Sequence, residues 1–307
     1  MEIRQLRSLL CLVDNGFSVS RTADQLCVVQ SAISQQLLKL ENELNAKIFI
    51  RHGKKLTGLT GFGETVVAHA RNIFTHTESI LQAAHEQSQS EKGVLRVGTT
   101  HTQARYMLPA VIKAFYGEFP DVDLQIHQGT PFKLIDMVRN DTVDFSICTE
   151  ALENDANLVM IPCYLWNRSL ITLPGHPLAS RNNLSLQDIA EFPIVTYEYG
   201  FTGRSHFSTT FSKSGLSPRV VLGAADTDVI KTYVRAGLGI GIIASMAYQI
   251  DQDRDLMFRD LNSLFPWEST KLAYKKAVFL RQYQKRFIDL FLRHTQRISE
   301  SMGIIPK

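Results

Sequence analysis

The stretch from Leu6 to Leu44 constrains this chain more than any other, because three apolar stripes follow one another there with little chain between them. LRSLLCLV puts Leu6, Leu9, Leu10 and Val13 on one helical face. Ser18 stands where a helix N-cap belongs, and SVSRTADQL continues as a short helix with Ala23 and Leu26 facing inward. Val28 and Val29 fall in the turn. QSAISQQLLKLENEL then carries Ile33, Leu37, Leu40 and Leu44 at spacings of four, three and four. A small residue such as Ala23 lets two helices cross closely, as a helix-turn-helix corner requires. The face opposite the stripe presents Gln30, Ser31, Ser34, Gln35 and Lys39, with Ser20 on the preceding short helix. These side chains are short, amide or cationic. Gln offers a donor and an acceptor together, which suits adenine in a major groove.

A polar outer face also fits an ordinary three-helix corner, and the next segment tips the balance. Phe49 to Leu56 reads as two β-like stretches around a turn, with Arg51, Lys54, Lys55 and His52 near the tip. Such a basic wing can lie along a minor groove and hold phosphates. Overall charge adds little, since the net is only +3 and residues 1–60 hold eight Lys or Arg against five Asp or Glu. Any attraction for DNA must come from where the cations sit.

Ser18, Ala23 and Leu26, then QSAIS (30–34), LENEL (40–44), IFIR (48–51) and LTGFG near 59–63, follow an ordered spacing that resembles LysR-type regulators. The resemblance implies a sequence-specific transcription regulator, not an enzyme, with Gln30, Ser31, Ser34, Gln35 and Arg51 as base and groove contacts. One departure is Gln35, where many members carry Arg or Lys. RNA polymerase would be a further partner.

Residues 62–88 read as one long helix. Val66, Ala70, Ile73, Thr77, Ile80 and Ala84 repeat every seven residues, which favours a two-helix seam. Packing of the same stripe on the helix's own domain is the competing reading. The resemblance favours antiparallel linker helices joining two heads in a homodimer, and a homotetramer beyond it.

A chain of 307 residues suits two or three domains. Hydrophobic content of 44% and charged content of 21% are those of a soluble globular protein. No apolar run approaches the roughly 18 residues of a membrane span. The first residues do not read as a signal peptide, and a cytoplasmic location is expected. Cys11, Cys27, Cys148 and Cys163 are widely spaced and read as reduced, mostly buried thiols. The nine His show no metal-ligand spacing.

From Val94 onward β-like runs alternate with helical ones: VLRVGT, VDLQIH, VDFSIC, SLITL, PIVTY, RVVLGA and GIGII among the strands. That alternation predicts an α/β fold with parallel sheets flanked by helices. GIGIIA (239–244) matches a G-x-G-x-x-A pattern, but it follows a helix, whereas the nucleotide motif follows a strand. A small-molecule site belongs where helix starts converge on a cleft. TTHTQ (99–103) is the best candidate, with Thr149 after VDFSIC and Thr202 in FTGRS (201–205) repeating the theme.

TTHTQARYMLP, HQGTP, TEAL, WNR and GFTGRS resemble the CysB, or sulfur-assimilation, group of LysR-type regulators. The resemblance implies a fold like periplasmic solute-binding proteins, two α/β subdomains joined by crossing strands. The domains would be a winged helix-turn-helix over 1–60, a linker helix over 61–90 and an effector domain over 91–307. In the last, subdomain I would take about 91–164 plus 269–307, and subdomain II about 165–268. The group's effector site maps to Thr100, Thr102, Gln103, Thr149 and Thr202, with Trp166 nearby. No cofactor is implied. The effectors would be O-acetylserine or N-acetylserine as inducer, with sulfate or thiosulfate opposing. A regulator of sulfonate or sulfate-ester use is the nearest alternative, and an anion-binding solute receptor without a DNA role is the alternative of another class.

Overall fold

The computed structural model describes residues 1–53, 55–86, 92–149, 155–201, 203–276 and 278–301. Two of the expected site residues, Lys54 and Thr202, lie outside this set, as does the side chain of Ala84. The chain divides into two compact units, one holding the elements up to residue 86 and the other those from Gly93 onward.

The first unit is a helical head. Helices α1 (Ile3–Asp14), α2 (Val19–Gln25) and α3 (Gln30–Glu43) precede a hairpin of β1 (Phe49–His52) and β2 (Lys55–Leu59), and α4 (Gly61–Glu86) follows. Leu6, Leu9, Leu12, Ala23, Ile33, Leu37, Leu40 and Ile48 form one core. Ser18 caps α2 as expected, accepting from the Arg21 N–H. On α1 the fully buried face includes Leu12, while the expected Leu10 and Val13 are half-buried at its margin.

The linker stripe splits. Val67 and Ala70 join the head's core, with Val66, Ile73 and Phe74 packed beside them. Arg71 pairs with Asp14 at 2.7 Å, and the Arg7 guanidinium lies over the Phe74 ring. The first turns therefore serve their own domain, which corrects a seam running the whole length. Further along, Ile80 is 69% exposed and points its apolar surface at solvent.

The second unit has two five-stranded sheets. The first lobe begins with β3 (Gly93–Thr99), α5 (His101–Tyr106), α6 (Leu108–Glu118) and β4 (Val122–Gln128). It continues with α7 (Pro131–Arg139), β5 (Phe145–Cys148) and β6 (Leu158–Trp166). The chain then enters the second lobe through β7 (Arg168–Thr172), α8 (Pro177–Ser180), α9 (Leu186–Ala190) and β8 (Ile194–Tyr197). That lobe is completed by α10 (Arg204–Lys213), β9 (Val220–Ala224), α11 (Thr227–Arg235), β10 (Ile240–Ala244) and β11 (Met257–Asp260). A return crossing leads to β12 (Glu268–Lys275) and α12 (Gln282–Ser301).

Strand order is β4-β3-β5-β12-β6 in one sheet and β11-β7-β10-β8-β9 in the other. The sheets are mixed, not purely parallel. β3 runs parallel to β4 and β5, and β8 to β9 and β10, but β12 pairs antiparallel with both β5 and β6. β7 is likewise antiparallel to β10 and β11. The reason is topological: the strands next to the crossings enter or leave the other lobe, and no crossover helix turns them to match the parallel set. Phe115, Phe145, Phe287 and Phe291 fill the first lobe's core, so α12 closes it. All four cysteines are free, and Cys27 is exposed where burial was the general expectation.

Candidate functional site

On the head, α3 turns Ile33, Leu37 and Leu40 inward, and Gln30, Ser31, Ser34, Gln35 and Lys39 are all exposed. Gln30 Nε2 donates to Ser20 Oγ at 3.4 Å, which brings Ser20 beside the start of α3. Lys39 is less free than its exposure suggests. Its ammonium meets Glu2 at 3.1 Å and Glu43 at 3.9 Å, and the hydrogen bond to Glu2 raises its pKa. A phosphate would have to compete with those carboxylates.

Glu41 joins α3 to the wing, a role the sequence pattern did not reveal. Its carboxylate is buried, and Oε1 accepts from the Ile48 and Phe49 N–H groups at 2.8 and 3.3 Å. Oε2 takes Arg51 at 3.1 Å. Arg51 stays 43% exposed, so one side of its guanidinium is anchored while the rest reaches outward. Lys55 opens β2 on the exposed side of the hairpin. The head therefore offers polar α3 side chains and a cationic hairpin fixed to the same helix, the arrangement that lets a recognition helix and a wing engage one duplex together.

In the second unit the expected residues that the structure describes, Thr100, Thr102, Gln103, Thr149 and Trp166, gather where the two lobes meet. Thr100 is the N-cap residue of α5, yet its hydroxyl makes no capping hydrogen bond. Thr102 and Gln103 are buried, and Thr102 Oγ1 has no hydrogen-bond partner among the described residues. Tyr164 donates its hydroxyl proton to Gln103 Oε1 at 2.6 Å, which leaves the amide's N–H groups as donors. Trp166 Nε1 donates to Thr149 Oγ1 at 3.0 Å, and Thr149 in turn shares a hydrogen bond with Thr270 at 3.1 Å. Thr270 lies against Tyr164 across the β6–β12 pairing, so Gln103, Tyr164, Thr270, Thr149 and Trp166 form one continuous chain. Burial pushes the Tyr164 phenol well above its ordinary pKa, so it donates at any ordinary pH.

The second lobe faces this chain with Tyr197. Its hydroxyl shares a hydrogen bond with Thr227 at 2.6 Å and accepts from the Ala244 N–H at 3.1 Å. Burial raises its pKa, opposed by those bonds, by the nearby Thr102 hydroxyl and by the charge of Arg168. Tyr164, Tyr197, Thr270 and Arg168 all escaped the sequence reading, although Arg168 closes the WNR run that drew attention to Trp166.

At the cleft's edge α5 is tied to α11. Asp228 takes Arg105 at 2.7 Å and the Tyr106 hydroxyl at 2.9 Å, with His101 at 3.9 Å. His101, Asp226 and Asp228 could together hold a metal ion on distance alone. Asp228 already serves Arg105, however, and Asp226 caps α11 by accepting from the Val229 N–H. This is a link between lobes and carries no metal reading. A separate cavity of about 410 Å³ shares Tyr164 and Trp166 with the threonine chain. Its remaining wall includes Met107, Met246, Phe258 and Trp267, surfaces that suit apolar groups better than a small anion.

A winged reading head, a long helix and a two-lobed domain with a polar cleft define a DNA-binding transcription regulator under small-molecule control. Residues 3–64 match the bacterial regulatory helix-turn-helix model of the lysR family, and residues 88–296 match the LysR substrate binding domain. The regulator CysB of Haemophilus influenzae is 43% identical over 297 residues, 97% of this chain and 92% of that protein. The regulator SsuR of Burkholderia cenocepacia is 42% identical over 305 residues, 99% of each. Among solved structures, the cofactor-binding domain of the Cbl transcriptional regulator is 40% identical, with a TM-score of 0.63 over 68% of this chain and 93% of that one. The chain belongs to the LysR family of transcription regulators. Among the described residues no helix is long and apolar enough to cross a membrane.

Proposed function

We propose that this regulator activates sulfur-assimilation and cysteine-biosynthesis promoters in response to O-acetylserine or N-acetylserine, with sulfate or thiosulfate as opposing anions. The observation that carries this is the set of neutral donors at the cleft, the Thr100 and Thr102 hydroxyls and the Gln103 amide whose oxygen is taken by Tyr164, in a protein that matches CysB over nearly its whole length. Neutral donors grip a small oxyanion without adding a desolvated cation for each contact. Thr100, Thr102, Gln103, Thr149, Trp166 and Thr202 are assigned to the effector. Ser20, Gln30, Ser31, Ser34, Gln35, Lys39, Arg51, Lys54 and Lys55 are assigned to DNA.

The working unit in this reading is a homodimer through the linker helix, and a homotetramer on the promoter, where it meets RNA polymerase in the cytoplasm. The exposed Ile80 end of α4 supports a seam beyond the part occupied by the head. The domains run 1–60, 61–90 and 91–307, with the lobes exchanging chain between β6 and β7 and between β11 and β12.

Near-equal identity to CysB and SsuR supports a second reading, a regulator of sulfonate or sulfate-ester use that answers a different ligand in the same cleft. A thermal-shift panel of both acetylserines, sulfate, thiosulfate and alkyl sulfonates separates the two. Stabilisation by an acetylserine, lost in Thr100→Val with DNA affinity retained, is the expected result. Stabilisation by sulfonates alone selects the second reading, and an undiminished acetylserine response in Thr100→Val moves the site elsewhere.

A further inference from the structure

Arg168 is buried where a cation is costly to desolvate, and one of its guanidinium nitrogens has no partner among the described residues. Its side chain is 4% exposed. Nη2 donates to the Gly203 carbonyl at 2.6 Å and to Glu268 Oε1 at 2.8 Å. Nη1 is buried and has no hydrogen-bond partner among the described residues. Buried donors are nearly always paired, and an unpaired donor on a charged group carries a heavy penalty. The Trp166 and Phe265 rings lie 5.4 and 5.3 Å from Cζ, which covers the faces of the cation but not an in-plane N–H. Glu268 is not free to swing across, because its Oε2 is taken by His206 Nδ1 at 2.7 Å.

The surroundings place this nitrogen's group at the cleft. Arg168 pairs with Ala244 between β7 and β10, and the Ala244 N–H donates to Tyr197, which adjoins Thr102. On its other side Trp166 holds Thr149. The Arg168 charge acts on the Tyr197 hydroxyl, which adjoins Thr102, and its guanidinium lies beside the Trp166 ring, whose N–H holds Thr149.

We propose that Arg168 is the charged donor of the effector cleft: Nη1 receives the anionic group of the effector while Nη2 stays on Glu268 and Gly203. The proposal rests on the reading of this cleft as the effector site. Hydroxyls and an amide alone would take neutral and anionic oxygens with little discrimination. A fixed guanidinium makes the cleft choose an anion, a carboxylate or sulfate-type group.

The test compares N-acetylserine with its uncharged primary amide by calorimetry on the full-length protein. Wild type is expected to favour the acid at least tenfold. Arg168→Met, and Arg168→Met/Glu268→Gln, which removes the stranded buried carboxylate, should bring that preference to within twofold. Thr100→Val should weaken both probes while keeping the preference. A tenfold preference that persists in the double variant overturns the proposal, as does a wild type with no preference. Binding that ignores Thr100→Val refutes the cleft reading itself. Binding that needs Thr100 but keeps its preference without Arg168 refutes only the role of Arg168.

Discussion

Replacing Glu41 should loosen the wing from the recognition helix without unfolding the rest of the protein. In Glu41→Ala the Ile48 N–H loses its one hydrogen-bond acceptor among the described residues, and the Phe49 N–H loses a longer bond in the same buried place. A hydrogen bond to a charged acceptor contributes about 1.5–3 kcal/mol, and the half-exposed link to Arg51 adds less than about 1 kcal/mol. Counting the longer bond at the low end gives a local loss of about 3–5 kcal/mol. Glu41→Gln keeps an acceptor oxygen for the two N–H groups and should lose about 1 kcal/mol. Tryptophan fluorescence is blind to this change, because Trp166 and Trp267 both lie in the second unit. Hydrogen exchange over residues 45–60 reads it directly. At about 1.4 kcal/mol per tenfold, Glu41→Ala should speed exchange at Ile48 and Phe49 by roughly 10²-fold or more. Glu41→Gln should shift it about tenfold or less, and non-specific DNA affinity should fall with the alanine variant alone. Equal exchange in the two variants would refute the argument that Glu41 holds the wing through its acceptor oxygen.

Three further outcomes are expected. Gln30→Ala should weaken specific DNA binding by about 1–3 kcal/mol and leave non-specific binding nearly intact in competition titrations; equal loss of both would make Gln30 a structural residue. Lys54→Ala with Lys55→Ala should weaken binding to every sequence and reduce the slope of log affinity against log salt by up to about 2, and an unchanged slope would remove the wing from the phosphate contacts. Asp253 supplies a pH test. Burial pushes its carboxyl up, but the Gln249 N–H, Lys231 and Arg235 outweigh burial and hold it below the ordinary range. A carboxyl with a depressed folded pKa stabilises above the unfolded value of about 4, and that stability is lost as pH falls through the folded value. Asp253→Asn should therefore melt lower than wild type at pH 7, with the gap closing below about pH 4. A gap that stays constant with pH would mean the side chain acts through packing alone.

What the sequence disclosed was local. The Ser18 cap, the Ile33 to Leu40 stripe and the turn between Phe49 and Leu56 each depend on neighbours within a few residues, and pattern reading finds such features. The crossing strands are different. LVMIPCYLW of β6 and ESTKLAYK of β12 pair with each other across about a hundred residues, and neither alternates cleanly enough to announce a strand. The mixed sheets follow from that pairing, and so does the part of the cleft that the sequence did not disclose, since Tyr164, Thr270 and Arg168 sit on or beside those strands. Glu41 was visible within LENEL, but nothing local says that its carboxylate is buried. Arg168 stood in plain view beside Trp166, and its partner Glu268 lies one hundred positions away. The linker repeat was read correctly as periodic, but a repeat cannot say which partner covers it, and its first turns went to the head.

The central claim is that an acetylserine or a sulfur oxyanion, bound between the lobes, changes how the head engages a promoter. It is tested most directly by footprinting the full-length protein on a sulfur-assimilation promoter with each effector present and absent. The account predicts a specific footprint at least about 10³-fold tighter than non-specific binding. An acetylserine should change the length or affinity of that footprint in wild type but not in Thr100→Val. A footprint indifferent to acetylserines, sulfate, thiosulfate and sulfonates alike would contradict it.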